Sequence, residues 1–241
     1  MSLGAGLTTD RDHPLYQRLL PAVADLARRL GARPDGPPSV RLSQTGWMRQ
    51  TSTSAWGAFT ARQTIDLERC AFDWRARTGL FAAVSVRDAL AGGVGMLDVR
   101  ALGVIRLAHA APTVMLTRGE QMRYLAELAW APDAILRNPG LRWREEGPDR
   151  LVVGAGTDET AAEVRLTLDG EGRIAGAFAP DRGAVIDGVM VPTPWRGAFS
   201  DYRRHDGVWL PFSGEVSWEA PAGAFTYWQG HIETWERSPH D

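Results

Sequence analysis

The chain has 241 residues, of which 44% are hydrophobic and 23% are charged, and its formal net charge is −2. This length is enough for one well-buried domain, and the absence of a basic run or basic tail indicates that the protein has no nucleic-acid partner. All 27 basic residues are arginine, which excludes a lysine Schiff base, and the single cysteine, Cys70, excludes an internal disulfide or a thiolate metal cluster.

The N-terminal segment bears on where the protein resides. It carries Asp10, Arg11 and Asp12 at the position where a signal peptide has its apolar region. No stretch approaches the roughly 18 apolar residues of a membrane span. From these two features we expect a cytoplasmic protein without a membrane span.

Residues 1–38 are predicted to form an N-terminal helix followed by a linker. The helix is expected over 13–30, because apolar residues recur there on one stripe and Gly31 supplies a stop. Pro21 lies inside this helix and predicts a kink or a break. The segment that follows is rich in proline, glycine and aspartate, as is typical of a linker.

Residues 40–110 are predicted to form a first meander of strands, which short turns join into an antiparallel sheet. Gly92–Gly93 predicts a tight hairpin within it. Cys70 alternates with Phe72 and Trp74 in the third strand, where a small buried side chain is expected. The predicted strands are 40–50, 56–67, 70–78, 81–90, 94–101 and 104–110.

Residues 117–137 are predicted to form a helical pair inserted between two strand regions. Thr117 and Glu120 have the spacing of a capping box, so the first helix is expected to begin at Thr117 and to run to about Ala129. A short second helix follows over 132–137. One face of the first helix is apolar, and its opposite face carries polar side chains at helical spacing, namely Glu120, Arg123, Tyr124 and Glu127.

Residues 141–235 are predicted to form a second strand meander. Because no break in composition and no internal repeat is visible, the chain is expected to be a single domain, 1–241. The predicted fold class is mainly β with a few helices: one curled antiparallel sheet, a half-barrel, of about 11 to 13 strands. Its strands before the C-terminal region are 141–145, 150–153, 162–168, 173–179 and 184–191.

The C-terminal region, Pro192–Trp235, is predicted to form three successive antiparallel strands with hairpin turns at Asp206-Gly207 and Ala222-Gly223. Val208–Trp218 alternates regularly, whereas Phe225–Trp235 mixes aromatic and polar side chains on both faces. Such a mixture suits the wall of a ligand cavity, or equally a barrel rim where aromatic rings cover the core and keep their polar ends wet.

Several spaced segments together cover nearly the whole chain and resemble a family of bacterial proteins of unknown function. They are 72–76, 86–89, 120–127 with Trp130 and Pro132, 194–202, and 207–211 with Trp218 and Glu219. That family is similar to the half-barrel of the bacterial lipoprotein-localisation carrier, so the resemblance implies a curved sheet wrapped around helices with an apolar cavity between them. The resemblance implies no assigned activity, and function has to be argued from the site.

The polar helix face supplies the first candidates for chemistry. A carboxyl group beside an apolar wall has a raised pKa and can act as a general acid or base. If the face is solvated instead, its arginine and two glutamates form ordinary helical ion pairs. Strand histidines are a further option, although such residues are more often hydrogen-bonded core residues. The catalytic candidates are Glu120, Tyr124, Glu127, Asp88, His109 and His231.

Arginine beside aromatic rings supplies the candidates for ligand binding. Arg196, next to Trp195 and near Tyr202, can bind a carboxylate or phenolate, or it can pair structurally with Asp201. The ligand-binding candidates are Trp56, Trp74, Arg123, Trp130, Trp195, Arg196, Tyr202 and Tyr227. No metal motif, dinucleotide fingerprint, phosphate loop or nucleophile elbow is present, so we expect no cofactor and no metal.

The leading hypothesis is a cytoplasmic half-barrel that encloses an apolar or aromatic small molecule and acts on it as a cofactor-independent acid/base enzyme, a lyase, isomerase or hydrolase. The alternative is a non-catalytic carrier or binder of a lipid-like ligand. A third interpretation is a structural or partner-binding domain whose core is filled. A homodimer is compatible with all three.

Overall fold

The structure is a computed structural model that describes residues 13–79, 82–101, 105–186, 188–220 and 223–239. Its helices are α1 (Pro14–Gln17), α2 (Pro21–Leu30), α3 (Val114–Ala126) and α4 (Asp133–Arg137), with short 3-10 turns over Glu127–Ala129 and Asp158–Thr160. Its strands are β1 (Ser39–Met48), β2 (Gly57–Asp66), β3 (Phe72–Thr78), β4 (Val84–Ala91), β5 (Val94–Ala101), β6 (Ile105–Ala110), β7 (Arg142–Gly147), β8 (Arg150–Ala155), β9 (Ala162–Leu168), β10 (Ile174–Ile186), β11 (Val189–His205), β12 (Val208–Ala220) and β13 (Gly223–Ser238).

These strands form one antiparallel sheet in the order β6-β5-β4-β3-β2-β1-β13-β12-β11-β10-β9-β8-β7. The two predicted meanders are therefore joined through β1 and β13, and the helices lie against one face, which we call the concave face. The predicted fold class, a mainly β protein built on one curled sheet with few helices, is confirmed. In the described part of the chain, no helix has both the length and the apolarity that crossing a membrane requires.

Hairpin signals identified most of the turns correctly. Gly92 and Gly93 have φ of +58° and +77°, and Asp206 and Gly207 have φ of +45° and +82°, as two-residue hairpins with both residues in the left-handed region require. At the second hairpin of the C-terminal region, Gly223 has φ of +118°, while Ala222 lies outside the described residues.

The predicted strand 184–191 is wrong, because it contains a hairpin turn. β10 ends at Ile186 and β11 begins at Val189, with Gly188 at φ +80° between them. Valine, isoleucine and methionine on both sides of the turn gave the sequence the appearance of one apolar strand. A further prediction fails at an element end, because Cys70 precedes β3. The break predicted at Pro21 is confirmed, since the N-terminal helix is divided there into α1 and α2.

Helix α3 begins one turn earlier than its predicted capping box. Its N-cap is Thr113, whose hydroxyl oxygen accepts a hydrogen bond from the Leu116 amide at 3.0 Å. The hydroxyl of Thr117 instead accepts one from the Gly95 amide at 3.0 Å, which attaches the helix to β5. Glu120 therefore caps nothing. It lies inside the helix with 4% of its surface exposed, and this burial excludes the solvated helix face.

Two register shifts explain why the last strand did not alternate. Tyr227 has no partner between the pairs Ser217–Thr226 and Val216–Trp228, and Glu233 is skipped in the same way opposite β1. Each extra residue reverses the alternation of the strand. Because of the first shift, the neighbouring side chains Tyr227 and Trp228 both lie on the concave face.

Candidate functional site

Five charged side chains converge between α3 and the concave face, and we call them the ionic cluster: Asp88, Glu120, Arg123, Glu127 and Arg182. Arg123 Nη1 lies 2.5 Å from Asp88 Oδ2, and its Nε donates to Glu127 Oε1 at 2.8 Å. Arg182 Nη2 donates to Glu120 Oε1 at 3.3 Å. The sequence analysis had selected four of these five residues.

Aromatic rings and one amide hold the cluster in position. The Arg123 guanidinium lies 4.7 Å from the Phe72 ring centroid and 5.1 Å from that of Trp74. Gln63 Nε2 donates to Glu127 Oε2 at 2.5 Å, so both oxygens of Glu127 are engaged. This carboxylate is consequently a fixed anchor for Arg123.

The cluster holds one more carboxyl group than it has guanidinium groups. Burial raises the pKa of Glu120 to about 8, and the charge of Asp88 adds to the rise while Arg182 and Arg123 oppose it. At neutral pH Glu120 is therefore mostly protonated, which makes the cluster neutral. Asp88 also affects this pKa through a hydrogen bond to Glu120.

Three buried oxygens around the cluster accept no hydrogen bond from the described part of the chain: Asp88 Oδ1, Glu120 Oε2 and Gln63 Oε1. A proton shared between the Asp88 and Glu120 carboxyl groups makes one hydrogen bond, in which one of the two groups donates and the other accepts. Buried acceptors without a donor are uncommon, because each loses its hydration without compensation. The ionic cluster can therefore accept further hydrogen bonds.

An apolar surface adjoins the cluster on the concave face, and we call it the aromatic wall: Met48, Val216, Trp218, Tyr227 and Trp228. All five side chains are only partly buried. The Trp218 and Tyr227 rings stack with centroids 5.6 Å apart, and Trp228 lies opposite both Met48 and Val216 in the sheet register. Apolar surface that remains partly open on a concave face can bind an apolar guest.

Three directly paired glycines, Gly46, Gly230 and Gly214, make room for the indoles of this region. A Cβ on Gly230 would overlap the Trp228 ring, and one on Gly214 would lie 3.1 Å from the Trp130 ring. The backbone thus forms a shallow groove across β1, β13 and β12 into which large rings fit.

Arg182 links the wall to the cluster. Its guanidinium lies 4.8 Å from the Trp195 ring centroid and 5.9 Å from that of Trp218. Trp195 Nε1 in turn donates to the Tyr227 hydroxyl at 3.1 Å. Charged and aromatic side chains therefore form one continuous surface.

Tyr124 projects from α3 into a different region. Its hydroxyl donates to the Asp66 carbonyl oxygen at 2.9 Å and accepts from Asn138 Nδ2 at 3.0 Å. Burial raises the pKa of this phenol well above its usual value, and it raises the pKa of the nearby Cys70 thiol to about 11. Both groups stay protonated near neutral pH, as structural groups do.

Trp130 and Trp74 lie in the packed core. Trp130 Nε1 donates to the Pro211 carbonyl oxygen at 2.9 Å, and Trp74 Nε1 donates to Gln44 Oε1 at 2.8 Å. Both indoles are 4% exposed. Each indole packs against a neighbouring ring. The centroids of Trp130 and Trp228 are 6.3 Å apart, and those of Trp74 and Phe59 are 5.9 Å apart.

The other ligand-binding candidates are not brought to the cluster. Arg196 is exposed and pairs with Glu219, while its guanidinium lies over Phe178. The Tyr202 hydroxyl donates to the Ile174 carbonyl oxygen at 2.7 Å, and Trp56 lies under the guanidinium of Arg49.

The two histidine candidates also lie apart from the cluster in the sheet. His231 is paired with Thr45 and Ser213, and its Nδ1 lies 3.3 Å from the Ser213 hydroxyl. His109 is opposite Asp98 in the β5–β6 register, and its side chain is outside the described part of the structure.

A broad recess of about 1940 Å³ lies over the opposite, outer face of the sheet. Arginines that are scattered through the sequence line it together with acidic residues, and Asp73 there bridges Arg75 and Arg87 at 2.9 and 2.7 Å. This recess is open and ionic, so it is not the apolar hollow predicted from the sequence. Its lining arginines include Arg41, Arg62, Arg75, Arg77, Arg87 and Arg100.

Among the described residues, no group of three histidine, cysteine or carboxylate side chains is arranged to hold a metal ion. In the ionic cluster each carboxyl group is engaged by a guanidinium group. The arrangement can hold and exchange a proton at Glu120, and it can accept hydrogen bonds from a guest.

The sequence analysis missed Arg182, Gln63, Trp218 and Trp228. Arg182 follows a register shift in β10 after Ala179, and regular alternation from the buried Ala177 and Ala179 would have directed it outward. Gln63 and Trp218 do follow the alternation of their strands, and that signal could have found them.

Three solved structures share the fold at low sequence identity. A putative outer membrane lipoprotein-sorting protein domain from Vibrio parahaemolyticus aligns with 10% identity and a TM-score of 0.50 over 92% of each chain. A LolA superfamily protein from Nitrosomonas europaea aligns with 12% identity and a TM-score of 0.50 over 91% of this chain and 94% of that one. A DUF1329 family protein from Desulfovibrio piger aligns with 11% identity and a TM-score of 0.50 over 95% and 94%.

These likenesses confirm the half-barrel fold of the lipoprotein-localisation carrier that the sequence segments implied. No protein of curated function is significantly similar in sequence. The model of a family of unknown function, DUF6920, matches residues 33–236. Because that match covers most of the chain, the protein belongs to the DUF6920 family.

Proposed function

We propose that this protein is a non-catalytic carrier or binder that holds an apolar, lipid-like small molecule against the concave face of its half-barrel. The observation that carries the proposal is the aromatic wall, a row of partly exposed apolar side chains beside a buried ionic cluster. Binding is favoured when an apolar guest covers partly exposed aromatic rings on a curved sheet and removes them from water.

The fold supports the same function. One protein that shares this fold is a putative outer membrane lipoprotein-sorting protein domain, and lipoproteins carry acyl chains as part of their structure. A guest of that kind needs an apolar surface and few polar contacts, and the aromatic wall offers such a surface.

Binding is favoured over acid/base catalysis at Glu127, one of the six predicted catalytic residues, because its carboxylate is already engaged. Glu127 accepts hydrogen bonds from Arg123 and Gln63, so accepting a substrate proton would require breaking one of them. A general base has to lie within hydrogen-bond reach of the proton it removes. The carrier accounts for the wall without any such rearrangement.

The test is a titration with the neutral apolar probe N-phenyl-1-naphthylamine, whose fluorescence rises in apolar surroundings. We expect a Kd on the order of 1–10 µM for the natural chain. Trp218→Leu should raise that Kd about five-fold, because an aromatic contact of this kind contributes on the order of 1 kcal/mol beyond its buried area.

Trp47→Leu is the matched control. Trp47 is 52% exposed, and strand alternation directs it away from Met48 and the concave face. Its loss should leave the Kd unchanged within a factor of about two. Equal weakening by both substitutions, or no saturable binding by the natural chain, would contradict the carrier.

A further inference from the structure

We propose that the ligand of the concave face carries a positively charged, hydrogen-bond-donating head group, an alkylammonium, that binds at the ionic cluster. This inference rests on the function proposed above, with the apolar part of the ligand on the aromatic wall. It assigns the head-group chemistry, which the fold leaves open.

Contacts connect the wall to the cluster without a gap. The Tyr227 hydroxyl accepts from Trp195, the Trp195 ring lies beside the Arg182 guanidinium, and Arg182 donates to Glu120. An apolar chain lying on the aromatic wall can therefore reach Arg182 and Glu120 with its end. The head group of an amphiphile held there meets charged side chains.

The unsatisfied atoms at that end are hydrogen-bond acceptors. Asp88 Oδ1, Glu120 Oε2 and Gln63 Oε1 are buried. The first two share only the proton of Glu120, and once that proton leaves, none of the three has a donor in the described part of the chain. An ammonium group offers up to three N–H donors and no acceptor, which matches this set. A carboxylate or phosphate head would bring only acceptors to a place that already has too many.

The charge count favours the same head group. Asp88, Glu120 and Glu127 face Arg123 and Arg182, so the cluster lacks one positive charge when all three carboxyl groups are ionised. A buried net charge is costly, and it is removed either by a proton or by a cation. In the free protein the proton on Glu120 serves this purpose, and a bound ammonium would replace it.

Proton release is the consequence that distinguishes this assignment. Glu120 meets Asp88 from β4, Arg182 from β10 and Arg123 from its own helix, and with these neighbours it has a pKa of about 8. At pH 7 it is therefore mostly protonated. When an ammonium binds, the ionised form of Glu120 is favoured and the proton passes to the buffer.

The experiment is calorimetric titration at pH 7 with dodecylammonium, dodecanol and dodecanoate below their micelle concentrations, each in phosphate and in Tris buffer. We expect dodecylammonium to bind about ten-fold more tightly than dodecanol, and dodecanoate to bind more weakly than dodecanol. The difference in heat between the buffers should correspond to the release of close to one proton per dodecylammonium.

Glu120→Gln provides the matched variant, because glutamine has the shape of the protonated carboxyl group but cannot ionise. In this variant dodecylammonium should lose its roughly ten-fold advantage over dodecanol and should bind without releasing a proton. Asp88→Asn should reduce the same advantage. The comparison of the three ligands on the natural chain needs no variant.

Two failures are distinguishable. If none of the three dodecyl compounds binds, the proposed function fails and the head-group assignment fails with it. If dodecanoate binds as tightly as dodecylammonium, or if dodecylammonium binds without releasing a proton, the head-group assignment is wrong while the carrier function stands.

Discussion

Helix α3 carries two buried polar regions that differ in how completely their hydrogen bonds are made. At Tyr124, the hydroxyl, the Asp66 carbonyl oxygen and both ends of the Asn138 amide have partners. In the ionic cluster on the same helix, Gln63 Oε1 has no donor among the described residues, and Asp88 Oδ1 and Glu120 Oε2 have only the proton that they share. A fully paired buried network stabilises a fold, whereas an incompletely paired one implies that a proton or a guest completes it.

The largest effect should come from removing the central cation of the ionic cluster. Arg123→Met leaves Asp88 and Glu127 buried without their guanidinium partner, so we expect the free energy of unfolding in urea to fall by about 3–5 kcal/mol. Arg196→Met is the control, since its pair with Glu219 is exposed and should cost less than about 1 kcal/mol. Similar losses in the two variants would mean that the ionic cluster contributes no more to the free energy of unfolding than an exposed ion pair does.

The next effect is the pH dependence of stability. The pKa of Glu120 is about 8 in the folded protein against an ordinary value of 4.5 for the unfolded chain, so the folded state binds an extra proton between those values. The stabilisation that this proton gives to the folded state is fully present below about pH 4.5 and is lost as the pH rises through 8. Between pH 5.5 and 9 the free energy of unfolding should fall, by something on the order of 2–4 kcal/mol.

Glu120→Gln tests the origin of that slope. The variant keeps a neutral group at all pH values, so its unfolding free energy should be flat over the same range and should exceed that of the natural chain at pH 9. Asp73 and Asp169 have lowered pKa values, and their contributions change only at more acidic pH. A natural chain that becomes more stable toward pH 9 would contradict the protonated Glu120.

The smallest effect belongs to the satisfied network. Tyr124→Phe removes a hydroxyl that both donates to Asp66 and accepts from Asn138, so stability should fall by about 1–2 kcal/mol. Because the network lies apart from the cluster, neither the pH slope nor the affinity for N-phenyl-1-naphthylamine should change. A shift in either property would mean that the two regions are coupled through α3.

Local signals in the sequence were sufficient for most of the fold. Turn pairs such as Gly92-Gly93 and Asp206-Gly207 fixed the hairpins, and regular alternation in Val208–Trp218 fixed the direction of its side chains. Helical spacing likewise grouped Glu120, Arg123 and Glu127 before any contact was known. These features depend on neighbours close in sequence, which is why the sequence alone can show them.

Features that depend on register or on distant partners could not be predicted. The extra residues at Tyr227, Glu233 and in β10 reverse strand alternation, and no residue type marks them. Burial of the polar face of α3 depends on Asp88 and Arg182 from distant strands. Composition likewise could not reveal the recess on the outer face, because its arginines come from five separate strands and from the turn between β2 and β3.

The most direct test of the carrier is a crystal structure of the protein with a bound 12-bromododecyl chain, in which anomalous scattering locates the bromine. The account predicts a bromine peak on the concave face, in van der Waals contact with the Trp218, Tyr227 or Trp228 ring. A peak confined to the outer recess, or a saturating soak that leaves the concave face without a peak, would contradict it.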